Sequence, residues 1–374
     1  MISKGFYEYL ETIAEERRLD KQDVLAAVEI ALIKAAQAEG HTGIIEVEFN
    51  DEQKKVRISE TFNVVEEINP ELELEGQITL EQAKEIRARV RIGSVIKREI
   101  PFSEIGRKGA TRFKTTFIQN LKELGYKRAY EYFVSKEGEV VTATVEKATD
   151  KVVILNLGMN TQSFMPVEEA LFGENYVPGK QIKVTITKVE ETTKSPKVFV
   201  SRSNKEIIKR LFELYIPEIA QGVIEVINIV REPGNRSKIG IKSNNINVDA
   251  KGACVGVGGA RIKQINQALN GERIDIFEWN DNPILLIAEA LTPAKVISVL
   301  IDEDTHKAIV IVPDEQFSLA IGKGGQNVRL ASQVTGWRID IKDETTAYRE
   351  EIRFKPNVYT AKFIIGDIYE NVGY

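Results

Sequence analysis

The chain has 374 residues, 43% of them hydrophobic and 29% charged, with a net charge of −5; this mix builds cores, and the length fits two to four domains. Cys254 is the only cysteine and His41 and His306 the only histidines, which excludes a disulfide framework, leaves a zinc site almost without ligands and points to a reducing, cytoplasmic compartment. Apolar runs such as Ile284–Ala288 are far short of the ~20 residues that span a bilayer, and the first residues carry no signal-peptide pattern, so no membrane partner is expected.

Residues 1–135 read as a mixed α/β domain. Ser3 is placed to cap a helix whose apolar face is Phe6, Leu10, Ile13 and Ala14. Asp20 is placed to cap a second, with Val24, Leu25, Val28, Ala31, Leu32 and Ala35 at helical spacing, ending near Gly40. Ile44–Phe49 and Val56–Val65 alternate around Asn50-Asp51-Glu52 as a β-hairpin does. A long helix is expected from Thr111 to Tyr132. The approach to it is strongly basic (Arg107, Lys108, Arg112, Lys114), which suits either a solvated face or a docking surface.

Residues 136–202 change character. Val140–Val145, Val152–Leu157, Ser163–Pro166, Ile182–Val189 and Lys197–Ser201 are short β-rich runs separated by turns. Five such strands in so short a span suit a small closed barrel, because closure removes exposed sheet edges. The spacing of Leu157-Gly158, Phe164-Met165-Pro166, Pro178-Gly179 and Val200-Ser201-Arg202 resembles the S1 fold, a member of the OB class. Such barrels stack bases on aromatic rings beside cations. Phe164 with Lys147 and Lys151 is the candidate surface here, unless Phe164 is simply core.

From Lys205 onward the chain repeats itself. Cys254–Ile276 reads CVGVGGARIKQINQALNGERIDI and Ala320–Ile341 reads AIGKGGQNVRLASQVTGWRIDI, with Gly256 and Gly322 in matching places 66 residues apart. Each copy follows a predicted helix and hairpin: Lys205–Leu214, Val223–Val230 and Lys238–Lys242 in the first, Ile284–Leu291, Lys295–Ile301 and Lys307–Val312 in the second. The order helix, strand, strand, helix, glycine loop, helix, strand is that of a type II KH domain, expected over 203–281 and 282–343. The fold class is thus multidomain α+β: an α/β domain, an S1 (OB-type) barrel and two tandem type II KH domains, with a tail over 344–374 that either packs locally or stays disordered.

A G-x-x-G loop keeps side chains out of the way so that RNA backbone can lie across it, and the next helix turns free N–H groups toward that backbone. Gly256, Val257, Gly258 and Gly259 with Arg261 and Lys263 form the first candidate clamp. Gly322, Lys323, Gly324 and Gly325 with Gln326 and Arg329 form the second. Each lies in a window free of acids, up to Glu272 in one and Asp340 in the other, which in an acidic chain suits an anion-facing surface, chance clustering being the alternative. Val255, Ile262 and Ile265, with Ile321, Val328 and Ala331, are expected to pack the helices and floor the base sites. A dinucleotide fingerprint fails, since Arg261 and Asn327 stand where its third glycine belongs. No Ser-His-Asp or Cys-His set is present, so no catalysis and no cofactor are expected.

On GACVGVGGARI, NGERIDI, WNDNP and AIGKGGQNVRLASQVTGW, and on the domain order, the chain resembles the NusA family of bacterial transcription elongation, termination and antitermination factors. The resemblance covers about residues 1–342. It implies a monomer whose N-terminal domain docks on RNA polymerase near the RNA exit channel and whose S1 and KH modules hold nascent single-stranded RNA, alongside other termination or antitermination factors. Gly258 stands where the family carries a basic side chain, which weakens the first clamp relative to Lys323 in the second. The residues after Asp343 match no acidic repeat of the kind some members append. A ribosome- or translation-associated KH/S1 protein is the alternative, and an exoribonuclease accessory a more distant one.

Overall fold

The structure, a computed structural model, describes residues 4–69, 76–192 and 194–358. Ser3 and the end of the tail after Val358 lie outside them. The described residues fall into two compact units, divided after Tyr132 except that Glu190–Pro196 belong with the first.

The first unit begins with α1 (Lys4–Glu16) and α2 (Lys21–Ala38). Asp20 caps α2 by accepting from the Gln22 amide at 2.7 Å, and Gly40, with φ +98°, lets the chain turn away just past its end. β1 (Ile44–Asn50) and β2 (Lys55–Val65) pair antiparallel as the expected hairpin. Three elements follow that the alternation did not reveal: β3 (Gln77–Thr79), α3 (Leu80–Ile86) and β4 (Val95–Glu99). They are short, and β3 and β4 hold their place by pairing with β2, parallel and antiparallel respectively. Thr79 and Gln82 form a capping box on α3. α4 spans Arg107–Val134, longer at its start than the sequence suggested, because Glu39 accepts from the Gly109 amide at 2.6 Å and stands in for the missing acidic first turn. Tyr7, Leu10, Val28, Ala31, Ile58 and Ile100 form the core.

The second unit opens with β5 (Val140–Ala148), β6 (Val152–Gly158), β7 (Thr161–Pro166), β8 (Gln181–Glu190) and β9 (Lys197–Ser201) in the order β7-β6-β5-β8-β9. β9 returns beside β7, where the Ser163 hydroxyl donates to the Val198 carbonyl at 2.7 Å, and the sheet nearly closes into a barrel.

Two modules of one topology follow. The first has α5 (Glu206–Tyr215), α6 (Pro217–Ala220), β10 (Ile224–Glu232), β11 (Arg236–Ser243), α7 (Ala250–Val255), α8 (Ala260–Ala268) and β12 (Arg273–Glu278). The second has α9 (Pro283–Ala290), β13 (Ser298–Asp302), β14 (Lys307–Val312), α10 (Phe317–Ile321), α11 (Gln326–Thr335) and β15 (Arg338–Asp343). In each, the first two strands pair antiparallel and the last pairs parallel with the middle one, which is the type II KH arrangement. The tail does pack locally as far as it is described: Asp343 caps α12 (Glu344–Arg349), and Asn357 brackets Val299 of β13 through both its amide atoms at 2.8 and 2.9 Å.

Buried ions tie the barrel to the first KH module. Arg202, 1% exposed, pairs with Glu174 at 2.8 Å and donates to the carbonyls of Lys183 in the barrel and Ala268 in α8. Lys238, fully buried, reaches Asp275 at 3.3 Å and the Thr292 carbonyl of the second module at 2.9 Å. Burial lowers its ammonium from the usual 10.5 to about 8 against the pull of Asp275. Below pH 8 the folded chain carries the full cost of that buried charge; between 8 and 10.5 it sheds the proton before the unfolded chain does, and the cost disappears. Urea unfolding across this range is expected to show the wild type gaining about 3 kcal/mol on Lys238→Met. A constant difference between the two proteins would show that Lys238 titrates normally.

Candidate nucleic-acid interface

Each glycine loop is a break between two helices. α7, capped by Asp249 through the Gly252 amide, stops at Gly256; one tight turn over Val257–Gly259 leads into α8. α10 stops at Gly322 in the same way, and the turn Lys323–Gly325 leads into α11. Gly256 and Gly322 have φ/ψ of 74°/170° and 76°/170°, a region essentially closed to other residues. Gly258 and Gly259, like Gly324 and Gly325, are left-handed.

Packing separates these glycines into two kinds. A Cβ on Gly322 would lie 2.8 Å from the Asn327 amide and 2.9 Å from its Cβ, whereas one on Gly258, Gly324 or Gly325 would meet no atom within 4 Å. The first glycine serves the fold. The later ones leave a surface bare. Gly322→Ala is therefore expected to cost about 1–3 kcal/mol, while Gly324→Asn, a residue that tolerates the left-handed region, is expected to cost little. Equal losses in chemical denaturation would erase this distinction.

Val257 is 96% exposed, Lys323 is exposed, and the Lys323 ammonium has no partner among the described residues. Neither α8 nor α11 has a side-chain cap or an acid in its first turn, so their leading amides and positive dipole ends face the loops uncompensated. Lys263 folds back, donating to the Gly258 carbonyl at 3.1 Å. Ile265 and Ala331 are fully buried and belong to the core alone, while Val255, Ile262, Ile321 and Val328 are half-buried, as a floor beside the loops requires.

Three residues expected to face RNA have partners within the protein. Arg261 pairs with Glu218 at 2.8 Å and donates to the Ala253 carbonyl at 2.7 Å. Gln326 and Arg329 both bond Glu232, at the tip of the β10–β11 hairpin, each at 2.6 Å at the closest. The sequence missed why Arg261 and Asn327 recur at one repeat position. Buried Asn327 donates to the carbonyls of Leu319, Ala320 and Leu291, so in both copies this residue ties the helix after the loop to the helix before it. Glu272 was also missed as more than the end of an acid-free window. Fully buried, it accepts from Arg231, the Gly234 amide and the Ser237 hydroxyl.

On the barrel, Lys147, Ile154 and Phe164 stand opposite one another across β5, β6 and β7 and so share one face. Phe164 is 55% exposed, which removes the core alternative. Lys151 lies in the turn before β6 rather than on a strand. In the first unit, Arg107, Lys108, Arg112 and Lys114 are exposed along the start of α4. No helix among the described residues is long and apolar enough to cross a membrane, and no group of three or more His, Cys, Asp or Glu there could hold a metal ion.

The chain matches the family models for the NusA N-terminal domain over residues 5–127, the NusA-like first KH domain over 202–279 and the NusA-like second KH domain over 283–349. It is 38% identical over 347 residues to the transcription termination/antitermination protein NusA of Bacillus subtilis, covering 92% of each chain. The chain belongs to the NusA family. The NusA proteins of Halalkalibacterium halodurans and Thermus thermophilus are 37% and 34% identical, over 92% and 91% of this chain and 90% of each relative. The duplicated loops thus lie inside the two segments that match NusA-like KH domains.

Proposed function

We propose that this chain is a transcription termination/antitermination factor that docks on RNA polymerase through its N-terminal unit and holds nascent single-stranded RNA. Gly256–Gly259 with Lys263 form one clamp and Gly322–Gly325 with Lys323 the other, and Phe164, Lys147 and Lys151 offer a stacking and steering surface on the barrel. Arg261, Gln326 and Arg329 support the clamps from behind. We assign the chain no catalytic step. What carries the reading is the double occurrence of one loop: two modules of the same topology each present bare, left-handed glycines at the start of an uncapped helix.

The test is transcription in vitro through an intrinsic terminator, with core polymerase and the full chain. The chain is expected to co-sediment with polymerase and to change the fraction of transcripts that terminate. Binding to ribosomal subunits in place of polymerase would move the protein to translation, and phosphate-dependent loss of RNA would make it part of a degradative enzyme.

A further inference from the structure

The tip of the β10–β11 hairpin touches the supports of both glycine loops. Arg231 and Glu232 are neighbours on a strand, so their side chains leave opposite faces. Arg231 and its cross-strand partner Ser237 turn to Glu272, which stands between α8, the helix of the first loop, and β12. The Gly234 amide adds a third bond to the same carboxylate at 2.9 Å. Glu232 turns the other way, accepting from Gln326 at 2.6 Å and from Arg329 at 2.6 and 3.1 Å. Both donors lie in the first turns of α11, directly after the second loop. Desolvation acts against the Glu232 carboxylate, yet the Gln326 and Arg329 bonds hold its carboxyl below the usual range. Asn228 reinforces the contact from the same strand, donating to the Val334 carbonyl at the far end of α11 at 2.9 Å.

We propose that Glu232 is a positioning residue: through the hairpin tip it fixes the second glycine loop relative to the first, and so sets the spacing along single-stranded RNA at which both clamps grip together. The second half of this statement rests on the RNA-binding function proposed above; the first half does not. A clamp of this kind holds about four nucleotides. Joining two clamps raises affinity only where the geometry lets both engage at once. A hairpin tip anchored on one face and bonded to α11 on the other supplies that geometry at the place where the second loop begins.

Two measurements on the full chain test this. In the first, spin labels at Val257→Cys and Lys323→Cys report the loop-to-loop distance distribution; Cys254 is buried and its thiol is pushed up to about 12, so it does not compete for label. Glu232→Gln is expected to broaden that distribution, and an unchanged width overturns the proposal. In the second, RNAs of about four and about twelve nucleotides are titrated. Glu232→Gln is expected to weaken the longer RNA roughly tenfold and leave the shorter one alone, and Arg329→Gln to weaken the longer RNA to the same degree. The double variant should be no weaker than either single one. Equal losses on both RNAs would place the effect inside one clamp, and tighter binding would make Glu232 a competitor of the RNA; either outcome overturns the spacing role. A broadened distribution in a chain that binds neither RNA keeps the positioning role, overturns the spacing one and rejects the RNA reading itself.

Discussion

A chain carrying Asp at both Lys323 and Gly324 is expected to lose the second clamp, and its affinity for an RNA long enough to reach both loops should fall by about a hundredfold. The change removes a cation with no internal partner, sets two carboxylates where phosphate must approach, and adds bulk to a bare surface. The fold should survive. Position 324 has φ 60° and ψ 28°, a conformation Asp adopts more readily than most residues, and the new Cβ meets no atom within 4 Å. Fluorescence anisotropy with a labelled RNA, alongside an unfolding curve, separates the two effects. A loss of twofold or less, with the fold intact, would remove the clamp assignment. The same variant should still bind polymerase while losing its effect on termination.

The largest loss of stability is expected from Glu272→Ala. The Glu272 carboxylate is fully buried and accepts from both Nε and Nη2 of Arg231, whose side chain is itself 2% exposed, as well as from Gly234 and Ser237. Deleting one member of a buried ion pair leaves the other charged and desolvated, at a cost of about 3–5 kcal/mol. Arg231 also donates to the carbonyls of Arg202 and Asn204, where the barrel hands over to the first KH module, so the damage should reach that joint. Glu272→Gln, which keeps the shape and one acceptor, should lose less. Urea unfolding of the three proteins measures this; a loss under about 1 kcal/mol for the alanine variant would show that water replaces the carboxylate.

The repeat was legible because its signal is local: glycines that only an unusual backbone explains, followed at fixed distance by Arg-Ile-Asp-Ile, with a hairpin before each copy. The barrel strands were legible from alternation and turns. β3 and β4 were not, because Gln77–Thr79 and Val95–Glu99 are too short to show a period and owe their conformation to pairing with β2. The internal partners of Arg261, Gln326 and Arg329 were hidden for a related reason. A basic residue beside a glycine loop looks the same in sequence whether it meets a phosphate or an acid such as Glu218 or Glu232, far away along the chain. The matching places of Arg261 and Asn327 could have warned of this. An arginine and an asparagine at one repeat position share the ability to donate to a carbonyl, not a charge.

That engagement of the arginines has a thermodynamic consequence. Each cation that neutralises a phosphate on a single strand releases counterions and contributes about −0.7 to the slope of log affinity against log salt. With Arg261 and Arg329 held by carboxylates, the cations left to the proposed interface are Lys147, Lys151, Lys263 and Lys323. The slope should then be no steeper than roughly −3. The remaining attraction comes from backbone amides, glycine surfaces and an aromatic face, which ionic strength screens little. Such a chain would lose about sevenfold in affinity when salt doubles, where two more arginines on phosphate would make it nearly twentyfold, and a net charge of −5 would keep it from collecting on nucleic acid at large.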